Sequence, residues 1–346
     1  MQPITRLLDT PLKFIGAVTA LISLGLGTNQ VLKVVAEARE RNRHVTELER
    51  VAAEQQRSGD YAAAWASLTE ASKIDDQAVR TAQEDVAMAW LRDIRIPGGS
   101  KFSDVVDPLA AVITRGIVST TGVRKADLLG HLGWAYFLKS RDGASTASPE
   151  DSYREAVAID PMNPYAQAHW GHWTIWRREA IADAIPHFAA AVASGRERPY
   201  VRRIQLAAFR LYGSADADSA LLHAVDEMRR NNEPIEASTR RGVFSIYTSA
   251  FNSDEELRRV LGVLPPDEHI AMIRALFYGP DFDGRAPLRD ATVAMLQENA
   301  GRRDDSLATW RGVRAALPRG GDQRVANRAD AAIARLTGGK STASRR

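Results

Sequence analysis

Along most of the chain, apolar residues recur at spacings of three and four, in blocks of about 12 to 16 residues. Short breaks of Gly, Asp, Asn or Pro separate the blocks. Runs of alternating Val, Ile, Thr and aromatics bounded by hairpin turns are missing. The pattern predicts an all-α chain of helical hairpins.

One segment departs from it. Between Lys13 and Lys33 lie 19 residues without a charge, Phe14 to Leu32. At about 1.5 Å per residue, a helix of that length just crosses a ~30 Å hydrocarbon layer. A cleaved leader would need a small-x-small site after the apolar run, and Gly27 leads instead into Thr28, Asn29 and Gln30. The segment is therefore expected to be an uncleaved single-pass anchor. Arg6 and Lys13 precede it, whereas Lys33, Arg39, Arg41, Arg43 and Arg50 follow. That bias places the large domain on the cytoplasmic side of a bacterial inner membrane.

The clearest hairpin begins at Val45. Leu48, Val51 and Ala52 form one stripe, Gly59-Asp60-Tyr61 a turn, and Ala64, Leu68, Ala71 and Ile74 the facing stripe. With its loop the pair spans about 34 residues. Small alanines sit where the helices must approach, and Leu68 fills the space between them. A second unit carries Leu129, Leu132, Gly133 and Tyr136, then Tyr153, Ala156, Ile159, Asp160 and Pro161. A third runs from Tyr165 to Ser194, with Trp170 and Gly171 as a large–small pair and Ala184, Phe188 and Ala191 on the partner helix. Val293, Ala294, Trp310, Val313 and Pro318 repeat the frame near the carboxy end.

This spacing resembles the tetratricopeptide repeat. The resemblance covers about half of the chain. It implies a right-handed α-solenoid of roughly six helix pairs. The expected organisation is a tail (1–13), a transmembrane anchor (14–33) and a basic juxtamembrane helix (34–44). Repeats (45–200), degenerate repeats (201–337) and a disordered tail (338–346) follow. In this family the first helix of each pair lines a concave groove for a protein or peptide. By that register, Glu49, Ala53, Gly130, Trp134, Ala168 and His172 stand where relatives that grip a chaperone's carboxylate tail carry Lys, Arg and Asn. That activity is not carried over.

The most unusual cluster is His131, Trp134, Tyr165, His169, His172 and Trp176, with Trp170 and Trp173 beside it. His169 and His172 share a helix face, and His131 occupies the equivalent place one repeat earlier. The cluster is a candidate partner-binding surface. A metal site built from the three imidazoles is the sharper alternative, although no Glu lies between His169 and His172 as a metalloprotease helix would need. Packing between repeats is the plainer one.

Other motifs fail on context. Gly338 to Thr342 ends like a phosphate loop, but position 334 is Ala. Asp281-Phe282-Asp283-Gly284 resembles part of a calcium loop, with Gly279 where the first ligand belongs. No nucleophile elbow accompanies the scattered histidines.

Composition adds little. Lys and Arg total 46 against 43 Asp and Glu, a net of +3, and cysteine is absent. Disulfides and thiolate chemistry are thereby excluded. Residues 301–346 alone carry +7, from 10 Arg and 1 Lys against 4 Asp. Aromatics for base stacking are lacking there, so nucleic acid is not expected as a partner. No cofactor is implied. The sequence points to binding rather than catalysis, either as a membrane-anchored scaffold or as a regulatory subunit of a separate effector.

Overall fold

The computed structural model describes residues 28–95, 101–144, 147–318 and 321–338. They form sixteen α-helices and no strand. The expected tail and all but the last residues of the expected anchor lie outside the described residues, as do 339–346. Among the described residues no helix is long and apolar enough to cross a membrane. The chain divides into two compact units, Met1–Ala166 and Gln167–Arg346.

The first unit opens with α1 (Thr28–Arg57), which runs without a break through the expected boundaries at 33 and 45. From Lys33 to His44 its side chains are exposed or half-buried, and the first buried one is Val45. There α1 meets α2 (Tyr61–Ser72) and α3 (Asp76–Arg92). Val45, Ala52, Ala64, Leu68, Ala71, Val79 and Val86 form their common core. Ile74, expected on the facing stripe, is instead exposed beyond the end of α2. Gly59 makes the α1–α2 turn at a φ of 82°, a left-handed conformation that glycine adopts freely. Asp60 and Asp75 cap α2 and α3 by accepting from the backbone N–H of Ala63 and Ala78.

Next come α4 (Phe102–Ser119), α5 (Gly122–Ser140) and α6 (Pro149–Ile159), each packed on its predecessor in the chain. Directions follow from the cross-links. Arg115, near the end of α4, reaches Asp76 at the start of α3. The backbone N–H of Ser103 donates to Asp142, just past α5. Arg124 bonds Glu84 while Trp134 bonds Leu91. So α3 and α5 run parallel, and α4 runs against both.

Glycine sets the spacing of α5. A Cβ on Gly133 would fall 2.3 Å from Cε1 of buried Tyr153, and one on Gly130 would fall 2.8 Å from the backbone N of Ala166. Asn163 Nδ2 donates to Asp127 Oδ1 at 2.6 Å, which ties the turn after α6 to the start of α5. Helix α7 (Pro164–Trp176) then begins.

The second unit contains the rest of α7 and continues with α8 (Ile181–Ala193), α9 (Arg198–Phe209) and α10 (Ala215–Arg230). Gly171 makes room for Phe188, whose ring a Cβ would meet at 2.9 Å. The large partner of Gly171 is thus across the hairpin and not its neighbour Trp170, which stacks on His187 at 4.5 Å. Helices α11 (Ala237–Ala250), α12 (Asp254–Leu261) and α13 (Pro266–Phe277) follow, and α13 packs back on both α10 and α11. A short 3-10 helix, Pro280–Arg285, holds the look-alike calcium motif. Its Phe282 is buried against Phe244 and Phe277, so the segment is a packed turn. Helices α14 (Ala286–Asn299), α15 (Arg303–Ala316) and α16 (Gln323–Gly338) close the unit around buried Trp310.

Three arginines of the basic carboxy-terminal segment are paired with acids earlier in this unit. Arg302 pairs with Asp267, Arg328 with Asp254 and Arg335 with Glu298. These pairs fasten the last helices to earlier ones.

His269 on α13 is buried between Tyr247 Oη, 2.6 Å from its Nδ1, and the N–H of Leu264, which donates to Nε2 at 3.3 Å. Burial pushes its pKa down from 6.5 to about 4, against the opposing pull of Asp226.

Two predictions follow from this packing. Gly133→Ala should lower unfolding free energy by about 2 kcal/mol through overpacking on Tyr153. Gly312→Ala on α15, where a Cβ meets nothing within 4 Å, should raise it by about 0.5–1 kcal/mol. Urea denaturation of both variants checks the opposite signs. For His269 the native state binds fewer protons than the unfolded chain between pH 6.5 and 4. Its contribution is complete above pH 6.5 and lost as pH falls toward 4, about 3 kcal/mol in all. His269→Gln should flatten that part of the stability–pH curve; an unchanged curve would refute the assignment.

Candidate functional site

The six residues expected to bind a partner fall into two groups, one in each unit. In the first unit, His131 Nδ1 donates to the Asp127 carbonyl at 2.7 Å, and its ring lies 4.3 Å from that of Tyr165. Tyr165 accepts from Arg92 at 3.0 Å, and Arg92 also lies over the ring. Trp134 donates its indole N–H to the Leu91 carbonyl at 3.1 Å. These contacts join α3, α5 and the first turn of α7.

In the second unit, His169 Nε2 lies 2.6 Å from Tyr200 Oη on α9. The carbonyl of Trp176 accepts from Tyr212 at 3.2 Å. His131 and His169 are fully buried, and His172, Trp134 and Tyr165 are nearly so. Trp176 is half-buried. The buried members present little surface to a partner, and the contacts they make are those of packing between helices. Among the described residues no group of three or more His, Cys, Asp or Glu is placed to hold a metal.

Open surface lies elsewhere in the second unit. A cleft of about 360 Å³ runs between α9 and the start of α11. Its floor is Pro199, Leu206, Ala207, Met228 and Pro234, and its walls carry Arg198, Arg203, Arg210, Glu233 and Glu236. A larger groove of about 720 Å³ lies between α8 and α10, over α9. Ile185, Phe188, Val192 and Phe209 make its apolar part.

Arg198 and Arg202 line both cleft and groove, and Arg202 is the buried one. Its side chain is only 3% exposed, yet every nitrogen is used. Nε donates to Glu233 at 3.0 Å, Nη2 to Glu227 at 2.7 Å, and Nη1 to Gln205 at 2.9 Å. Arg198 closes the network on Glu233. Burial alone would raise the pKa of Glu233, but hydrogen bonds and charge from Arg202 and Arg198 hold it below the usual carboxylate range. Such a planar, forked donor set suits guanidinium and not ammonium.

The two outer arginines differ from these. Arg203 is exposed and lies over the ring of Tyr200. Arg210 is exposed one turn past the floor, beside Gly242 of α11, and forms no ion pair among the described residues. An exposed guanidinium over an apolar floor can take a carboxylate in two parallel hydrogen bonds.

Sequence reading passed over this cleft. The signal is the arginine spacing in Arg198-Pro199-Tyr200-Val201-Arg202-Arg203, followed by Arg210 one floor's length later. Which arginines are spent on Glu227 and Glu233 depends on α10 folding back, and no local pattern encodes that.

No protein-family model matches the chain, and a search of curated proteins finds no relative. Among solved structures the chain is similar to the crystal structure of a tetratricopeptide repeat protein from Parabacteroides merdae. The identity is 12% and the TM-score 0.39, over 85% of this chain and 99% of that one. The repeat character described above rests on the helix pairs themselves.

Arg202→Met should destabilise the second unit by about 1–2 kcal/mol, because Glu233 keeps Arg198 but loses its buried partner, while Gln205 and Glu227 each lose a donor. Arg210→Met, exposed and without an ion pair among the described residues, should cost less than about 0.5 kcal/mol. Thermal unfolding of the two variants measures the contrast.

Proposed function

We propose that this chain is a scaffold that holds a protein or peptide partner on its helix-pair surface, tethered to a bacterial inner membrane by residues 14–33. The observation that carries the binding reading is the α9–α11 cleft. Helices α9 and α11 are the first members of successive pairs, the position that lines the groove in the family the sequence resembles. The cleft combines an apolar floor with Arg203 and Arg210 at its open edge. It fits an acidic segment with an apolar anchor residue. The buried His and Trp residues hold the neighbouring helices in place and do not meet the partner.

The tether rests on the uncharged stretch Phe14–Leu32 and the positive residues after it. Those residues favour a cytoplasmic position for both units. Binding is the better reading because both clefts set charge beside apolar surface.

A photo-crosslinking residue in place of exposed Ala207 tests the cleft. In membranes of the native host it should give one stoichiometric adduct, and Arg210→Glu should abolish it. A protein that forms no adduct from position 207, or one indifferent to the charge at 210, would remove the cleft from the binding surface.

A further inference from the structure

The first unit carries an apolar rim at one end. Among the described residues its exposed large apolar side chains are Val34, Ile74, Val118, Val123, Ile159 and Met162. Scattered singly, such residues would mean nothing. These are not scattered. Val34 lies on the projecting part of α1, and the others flank the turns α2–α3, α4–α5 and α6–α7.

Antiparallel packing brings those three turns to the same end. Ile74 borders a hollow with Glu37, Glu40, Arg41 and His44 of α1. Arg115, three residues before Val118, reaches Asp76. Asn163, next to Met162, reaches Asp127 near Val123. The opposite end is different. Its turns show Gly59, Asp60, Asp93, Arg141 and Asp142, and no large apolar side chain is exposed there among the described residues.

The rim end is also the end from which α1 projects, toward the uncharged stretch that finishes at Leu32. We infer that this rim rests on the surface of the lipid bilayer, as a second contact beside the tether. The inference depends on the tether proposed above.

Distances allow it. Along α1, Arg41 beside Ile74 lies eight residues from Lys33, about 12 Å. Helix α5 stands two packed helices from α1, roughly 20 Å at 8–10 Å each. A tilt of about 20°, ordinary for a spanning helix, lowers its tip by about 7 Å. That brings Val118, Val123 and Met162 to the headgroup layer, which is about 5–7 Å deep on each side. Charge does not oppose the contact. Arg115 pairs with Asp76, Arg124 with Asp85 and Lys125 with Glu155, so these cations beside Val118 and Val123 are neutralised locally. The attraction is therefore apolar and insensitive to salt.

The absence of cysteine makes the test clean. Val118→Cys, Met162→Cys and, at the opposite end, Ser58→Cys each receive a fluorophore on the full chain. The protein is reconstituted with phosphatidylcholine vesicles whose lipids carry a nitroxide near the headgroup. The labels at 118 and 162 should lose emission to the nitroxide lipids, and the label at 58 should keep it, in both low and high salt. If the protein floats with vesicles but all three labels behave alike, the rim contact is wrong and the tether stands. If the protein does not float, the tether fails and the rim contact fails with it.

Discussion

Close approach of neighbouring helices is the constraint on which both units depend. A helix pair this short cannot bury enough surface unless its backbones come near each other. Here one partner gives up its side chain and the other fills the space. Gly133 yields to Tyr153, and Gly171 yields to Phe188. Ala52, Ala64 and Ala71 do the same around Leu68. The pairings of Gly133, Gly171 and Ala52 reach 16 to 20 positions along the chain, so a local substitution there acts across a whole hairpin. The long-range contacts then follow in order along the chain. In the second unit the order breaks once, where α13 packs back on α10 and α11 and the Phe244–Phe277–Phe282 cluster replaces the small–large rule.

This explains what was legible in the sequence. Helix type and pairing follow from periodicity, and the small residues that face a large one are read off directly at Gly133 and Ala64. Burial of a polar aromatic residue is not. His131 and His169 look like ligands in a list of residues, because imidazole is rare in a core. His169 is satisfied by Tyr200, about thirty positions away, whereas His131 bonds the Asp127 carbonyl of its own helix and packs its ring on distant Tyr165. The same holds for the arginines. Arg202 and Arg203 are adjacent and identical in type, yet one is a buried structural node and the other faces the cleft. Only the return of α10 and its Glu227 separates them.

The cleft and the Arg202 network illustrate a division of labour among like charges. Binding surfaces need cations that are unsatisfied in the free protein, whereas walls need cations that are fully satisfied. Helix α9 supplies the satisfied wall, and Arg210 just past its end, with no ion pair among the described residues, supplies the other. The wall arginines tie α9 to Glu227 on α10 and to Glu233 just past its end.

The unbroken run of α1 has a mechanical consequence. Its exposed and packed halves share one hydrogen-bonded rod, so the rotational phase of residue 28 fixes that of Val45. Each residue inserted between them would turn everything beyond by about 100° and advance it about 1.5 Å. Whatever holds the amino-terminal segment thereby also chooses which side of the first unit faces it. The stretch from Lys33 to His44, which buries almost nothing, acts as an angular setting as well as a spacer.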